Sequence, residues 1–182
     1  SSDLLDYNAT TPIHPNVLKT LQKTHKLVGN PSSFHHFGRV IKEKLEAARE
    51  SIANYLGTTP QHLIFTSSGT EANNHVLYSH YLQQQTLNKK THIITSAIEH
   101  SSIRLTCQYL ETLGARITYI PVHENGQINL TALESAISEN TTLISIMTAN
   151  NETGTIQPIN AIQNLASKHQ IPFHTDAVQA IG

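Results

Sequence analysis

Two hydrophobic periods alternate along the chain. Val17, Leu18, Leu21 and Val28 share one face of a helix over 15–28. Ile41, Leu45, Ala48, Ile52 and Leu56 recur at three and four residues, which predicts a helix from about Phe37, with Gly57 as its stop. The run His62-Leu63-Ile64-Phe65-Thr66, bounded by Pro60 and a polar cluster, reads as a strand. A helix over about 70–87 leads to a strand over 91–95, and a helix over 101–113, closed by Gly114, leads to the alternating strand 116–120. Asn125-Gly126 marks a turn. Thr131-Ala132-Leu133-Glu134 reads as a capping box opening a helix that ends near Asn140. A buried strand over 143–147, a helix over 158–169 with Pro in its first turn, and a strand over 171–175 complete the pattern.

Strands alternating with helices at this spacing predict βαβ units. The fold class is therefore α/β, a doubly wound, mostly parallel sheet with helices on both faces and right-handed crossovers. No internal repeat or low-complexity stretch interrupts it. The chain stops at Gly182, seven residues after Thr175, so the sheet reads as unfinished. The expected organisation is an N-terminal arm over 1–14 and a single large domain over 15–182.

Composition narrows the function classes. At 38% hydrophobic, the 182 residues can fill a core. Twelve Lys+Arg against thirteen Asp+Glu leave no basic footprint for nucleic acid or an anionic membrane. No apolar run approaches the ~20 residues of a membrane span. One cysteine excludes an intramolecular disulfide and a multi-cysteine zinc site, which fits a reducing, cytoplasmic setting. No metal site is expected.

Ligands of open α/β sheets bind outside the carboxyl ends of the strands. Four polar groups fall there: Ser68-Gly69-Thr70, Glu99-His100, Asn150-Asn151-Glu152-Thr153-Gly154, and Asp176 with Gln179. A helix opening at Ser68-Gly69-Thr70 offers N–H groups to an anion, although for this loop alone an ordinary N-cap is the preferred explanation. His100 can stack or move a proton, or simply sit at a helix start. Asp176, after an apolar strand, needs a cation or several donors, or else caps a following turn. Asn151 and Gln179 can donate and accept. The glycine spacing admits neither G-x-G-x-x-G nor a P-loop, and there is no G-x-S-x-G. Ser102, His100 and Asp176 could compose a hydrolytic set, which no spacing favours. Cys107 falls mid-helix, where a buried, inert thiol is the default.

Together these segments resemble the cysteine desulfurases, class V, fold-type I pyridoxal-phosphate enzymes. The matching stretches are Asp6-Tyr7-Asn8-Ala9-Thr10-Thr11-Pro12, Gly29-Asn30-Pro31-Ser32-Ser33-Phe34-His35, Thr66-Ser67-Ser68-Gly69-Thr70-Glu71-Ala72-Asn73-Asn74, Glu99-His100, Ala149 to Pro158, and His174-Thr175-Asp176-Ala177-Val178-Gln179-Ala180. The resemblance implies pyridoxal 5'-phosphate as cofactor. It implies that Gly69 and Thr70 hold the phosphate and that His100 stacks on the ring and takes part in proton transfer. Asp176 would pair with the ring nitrogen, Gln179 with the phenolic oxygen, and Asn151 with coenzyme and substrate carboxylate. It implies conversion of L-cysteine to L-alanine, a homodimer, and a sulfur-acceptor or scaffold partner serving iron–sulfur clusters, thio-cofactors or tRNA. The family's Schiff-base lysine, in Ser-x-His-Lys, and its persulfide cysteine lie downstream of the Asp176 segment. All eight lysines here precede Asp176, so the chain reads as an N-terminal part, truncated before that lysine and inactive alone. Cys107 matches a non-catalytic position. A non-catalytic module of the same fold, or a selenocysteine lyase or kynureninase-like relative, are the alternatives.

Overall fold

The computed structural model describes residues 10–181. Residues Asp6 to Ala9 of the first matching stretch, most of the expected arm, and Gly182 lie outside them. The chain divides after Phe65 into two compact units.

The first unit holds α1 (Pro15–Thr24) and α2 (His36–Tyr55). Pro15 starts α1, and His14 Nδ1 accepts from the Asn16 N–H at 3.2 Å. The helix ends at Thr24, short of Val28, and its apolar side stays exposed. The expected strand over 62–66 does not form. Pro60–His62 is a 3₁₀ turn, and the residues after it have no neighbouring strand among the described residues. Arg49 supplies the reason: its Nη1 donates to the Leu63 carbonyl at 2.6 Å, and its guanidinium lies 4.7 Å over the Phe65 ring. One carbonyl of the apolar run is thus taken by a side chain, with Ile64 67% exposed.

The second unit is a four-stranded sheet of β1 (His92–Ser96), β2 (Arg116–Ile120), β3 (Thr141–Ser145) and β4 (Phe173–His174), all parallel, in the order β2-β1-β3-β4. α3 (Gly69–Thr86) precedes it, and α4 (Ser101–Thr112), α5 (Leu130–Ala136) and α6 (Ile159–Lys168) connect its strands. Every residue of central β1 is buried, as expected for a strand covered on both faces. Its alternate side chains feed two cores. Ile93 packs with Leu77 and Tyr81 of α3 and with Ile103, Cys107 and Leu110 of α4. Ile94 packs with Leu133 of α5 and with Ile162 and Ala166 of α6. The doubly wound reading holds.

His92 is paired on both sides within the sheet, whereas the buried Thr95 Oγ1 has no partner among the described residues. His92, 1% exposed, meets Thr141 of β3 through Nδ1 at 2.9 Å and Thr118 of β2 through Nε2 at 2.8 Å. Burial, with Arg116 nearby, holds its pKa below the usual histidine value.

Two boundaries of α5 differ from expectation. Asn129, not Thr131, is the cap: its Oδ1 accepts from the Ala132 N–H at 2.9 Å, so the helix opens at Leu130. The helix ends at Ala136 rather than near Asn140, because Ile137 is extended. Ser138 and Thr141 then close a turn, Ser138 N–H to Thr141 Oγ1 and Thr141 N–H to the Ser138 carbonyl, both at 2.9 Å. Strands β3 and β4 are shifted or shorter than their apolar runs, since 146–147 and 175 lie past the last ladder pair. The Asn125-Gly126 turn forms as expected, with Gly126 at φ +78°.

Candidate active site

The site elements gather at the carboxyl end of the sheet in the second unit. α3 opens with Ser68 as N-cap, its Oγ accepting from the Glu71 N–H at 3.1 Å. Glu71 turns back to accept from the Ser67 N–H at 2.6 Å, and bonds from Ser67 lower its pKa. The first-turn N–H groups of Gly69 and Thr70 have no acceptor among the described residues. Gly69 lies close to the turn that follows Asp176: a Cβ there would lie 2.9 Å from Cγ2 of the exposed Val178 side chain.

β1 runs into Glu99 and His100. Glu99 is 7% exposed, and its Oε1 accepts from Ser96 Oγ at 2.5 Å and from the Met147 N–H at 3.0 Å. This carboxyl ties the exit of β1 to the exit of β3. Asn150 adds a second tie, donating to the Ile98 carbonyl at 3.1 Å. Burial pushes the Glu99 carboxyl up to about 7; the bonds from Ser96 and Met147 oppose the rise and the nearby Asp176 adds to it. Its Oε2 is buried with no partner among the described residues.

His100 caps α4. Its Nδ1 accepts from the Ser102 N–H at 3.2 Å and lies 2.8 Å from Ser102 Oγ. A cleft of about 630 Å³ brings His100 and Asn151 together, with Glu99, Arg104, His123 and Glu124 in its walls. Thr70 lines a separate depression of about 290 Å³ on the other side of the α4 start, together with Ser102. Asp176 is half-buried after β4, its Oδ1 accepting from the Val178 N–H at 3.0 Å and its Oδ2 from Asn73 Nδ2 at 2.7 Å. Asn73 also donates to Ser102 Oγ at 2.9 Å. Asp176 and His100 are thus joined through Asn73 and Ser102. Gln179 lies exposed in the same turn as Asp176.

A hydrolytic Ser102, His100, Asp176 set is not what this geometry builds. Ser102 is 6% exposed, and Asp176 bonds Asn73 rather than the imidazole. Cys107 is fully buried in α4, and burial raises its thiol to about 12, so it is inert as expected. Among the described residues no cluster of His, Cys, Asp and Glu could hold a metal. The sequence brought Glu99 to a strand end and Asn73 into a matching stretch but assigned neither a role. Their signal was weak: a polar residue on an α3 face that otherwise carries Leu77 and Tyr81 inward, and an acid between an apolar strand and a helix cap.

The fold and this strand-end arrangement define a class. The Aminotransferase class-V model matches residues 4–182, and the chain belongs to that family, whose members are pyridoxal-phosphate enzymes. Within it, the chain is similar to proteins named as desulfurases. It is 46% identical to cysteine desulfurase IscS of Dictyoglomus turgidum, over 98% of this chain and 45% of that protein. It is 44% identical to cysteine desulfurase IscS of Methanosarcina thermophila, over 98% of this chain and 44% of that one. Among solved structures, a NifS-like protein superposes with TM-score 0.92 at 38% identity, covering 97% of this chain and 49% of its own. SspA in complex with cysteine superposes with TM-score 0.93 at 38% identity, covering 98% and 51%. The chain spans about half the length of the relatives it matches.

The residues present fit the coenzyme of that class. The two open N–H groups of Gly69 and Thr70 stand at the positive end of an 18-residue helix, which suits a phosphate. Asp176 is held only by neutral donors and has no cationic partner among the described residues, which suits a protonated ring nitrogen.

Proposed function

We propose that this chain is the coenzyme-binding N-terminal part of a cytoplasmic, pyridoxal-phosphate-dependent cysteine desulfurase. Such an enzyme converts L-cysteine to L-alanine and passes the sulfur on as a persulfide. The observation that carries the reading is the Asp176 carboxylate, oriented by Asn73 and Val178 and tied to His100 across the strand ends. The names of the relatives supply the substrate.

In this reading Gly69 and Thr70 hold the phosphate through their free N–H groups. Asp176 holds a proton on the ring nitrogen by charge, and Gln179 donates to the phenolic oxygen. His100 covers the ring and exchanges a proton through Nε2, since Nδ1 already accepts from Ser102. Asn151, beside it in the cleft, orients the coenzyme and the substrate carboxylate. When bound, the coenzyme supplies the electron sink that labilises the bonds of the amino acid. The sulfur-accepting cysteine and the Schiff-base lysine belong to the remaining length of the protein. Cys107 is excluded as acceptor by its burial. A homodimer and a sulfur acceptor or scaffold for iron–sulfur, thio-cofactor or tRNA synthesis complete the proposal. The desulfurase names of the relatives lend no support to a non-catalytic module or to a selenocysteine lyase or kynureninase-like enzyme.

The test is made on the full-length protein with pyridoxal phosphate and L-cysteine. A visible absorbance band abolished by borohydride, with alanine and sulfur released in equal amounts, is expected. Coenzyme binding without sulfur release would overturn the desulfurase reading. Asp176→Asn is expected to lower kcat about a hundredfold, the scale of losing one preorganised charge.

A further inference from the structure

The contacts of Asn73 determine the direction of every hydrogen bond between Asp176 and His100. Asn73 is 4% exposed, and its Nδ2 lies 2.7 Å from Asp176 Oδ2 and 2.9 Å from Ser102 Oγ. An amide nitrogen has two hydrogens, and these two acceptors use both. Ser102 Oγ, accepting from Asn73, has one hydrogen of its own, and His100 Nδ1 stands 2.8 Å away to receive it. The Ser102 backbone N–H converges on the same ring nitrogen at 3.2 Å. Nδ1 is therefore an acceptor, and the neutral ring keeps its hydrogen on Nε2. Turning the Asn73 amide over would face Oδ1 to a carboxylate oxygen, lone pair against lone pair, so Asp176 fixes the amide in turn.

We propose that Asn73 is a positioning residue, coupling the carboxylate of Asp176 to the ring of His100 through Ser102 and, together with the Ser102 backbone N–H, holding the His100 ring in its Nε2–H tautomer. The proposal deepens the coenzyme reading above and rests on it for its functional meaning. α3 thereby contributes to the site twice, at its first turn through Gly69 and Thr70 and one turn later through Asn73. The two groups assigned to the ring nitrogen and the ring face are held as one unit rather than by separate loops.

The test uses the full-length protein. Nitrogen-15 NMR of His100 without coenzyme is expected to show the Nε2–H tautomer in the wild type; a dominant Nδ1–H tautomer overturns the proposal with no variant needed. Asn73→Asp keeps the shape but, beside the Asp176 carboxylate, holds at most one shared proton and cannot donate to both acceptors. It is expected to shift the His100 nitrogen signals and to weaken pyridoxal phosphate binding about tenfold, the scale of an unsatisfied buried partner. Unchanged signals together with unchanged coenzyme affinity overturn the proposal. Thermal melting reports whether each variant folds. Should Asn73→Asp fail to fold, Ser102→Ala carries the test, since it leaves the Asp176 bond in place: altered His100 signals are expected, and unaltered signals overturn it. A wild type that binds no coenzyme refutes the functional reading of the site, whereas the tautomer measurement judges the hydrogen-bond chain separately.

Discussion

Among single residues, Glu99 and Cys107 show burial setting chemistry in the same direction, each holding its proton more tightly. The Glu99 carboxyl titrates near 7 when folded and near 4.5 as an ordinary carboxyl. The folded state therefore holds the proton more tightly, and the stability this confers is present below pH 4.5 and lost as pH rises through about 7. The displacement corresponds to roughly 3 kcal/mol for this titration alone. Glu99→Gln keeps an acceptor for Ser96 and Met147 but cannot ionise. Relative to the wild type, its stability is expected to gain as pH rises from 4.5 to 7, as read from the difference in denaturant midpoints; a difference that stays constant over that range would refute the assignment. Cys107 is 0% exposed among Leu77, Ile93, Ile103 and Leu110. Cys107→Ala is expected to cost about 1 kcal/mol of stability while leaving sulfur release from cysteine unchanged. In the native protein this thiol is expected to resist alkylation until the chain unfolds. A desulfurase that loses turnover with this variant would require a different sulfur acceptor from the one proposed.

Among the elements, α5 gives the clearest test of local logic. Asn129→Ala removes the bond to the Ala132 N–H and is expected to cost about 1 kcal/mol, whereas exposed Thr131→Ala is expected to cost only a few tenths. Equal costs in thermal melts would show that the cap had been misplaced. The same helix explains what was legible in the sequence. Periodicity located α2 and α4 within a residue or two, because each has its apolar positions in one phase; α3 and β1 were placed as closely by the polar cluster and the apolar run that bound them. It misplaced the start of α5, where two plausible caps stand two residues apart and only the extended backbone at Asn129 decides between them. It also promoted 62–66 to a strand, since nothing local shows that Arg49, thirteen or more residues earlier, takes the Leu63 carbonyl and covers Phe65. The site residues were legible because strand ends and helix starts are marked by composition. The link from Asp176 to His100 was not, because it crosses 103 positions to Asn73.

Across the whole molecule, buried histidines set the acid limit. Burial holds His80, His92 and His174 below the usual histidine pKa, with Arg116 adding to this at His92 and Asp176 opposing it at His174. Each therefore contributes stability that is present above pH 6.5 and lost as pH falls through its folded value. Glu99 works in the opposite sense over part of that interval. Net stability is expected to fall on acidification below about pH 6, and to fall more steeply in the Glu99→Gln variant, which lacks the opposing gain. A denaturant midpoint that rises in both proteins between pH 6.5 and 5 would contradict this sign.

Central β1 also acts as a ruler. Ile93 belongs to one core and Ile94 to the other, and within five residues of that pair come Ser96 and Glu99, then His100. A single residue inserted between Ile94 and Thr95 would not merely lengthen a loop. It would reverse the inside and outside of everything downstream until the next helix, carrying Glu99 away from the Met147 N–H and Ser102 away from Asn73. The same insertion in the exposed turn over 88–90 has room to be absorbed. Along this stretch the chain can tolerate changes of letter far more readily than changes of count, so the distance in residues from the sheet's centre to its histidine is itself part of the active site.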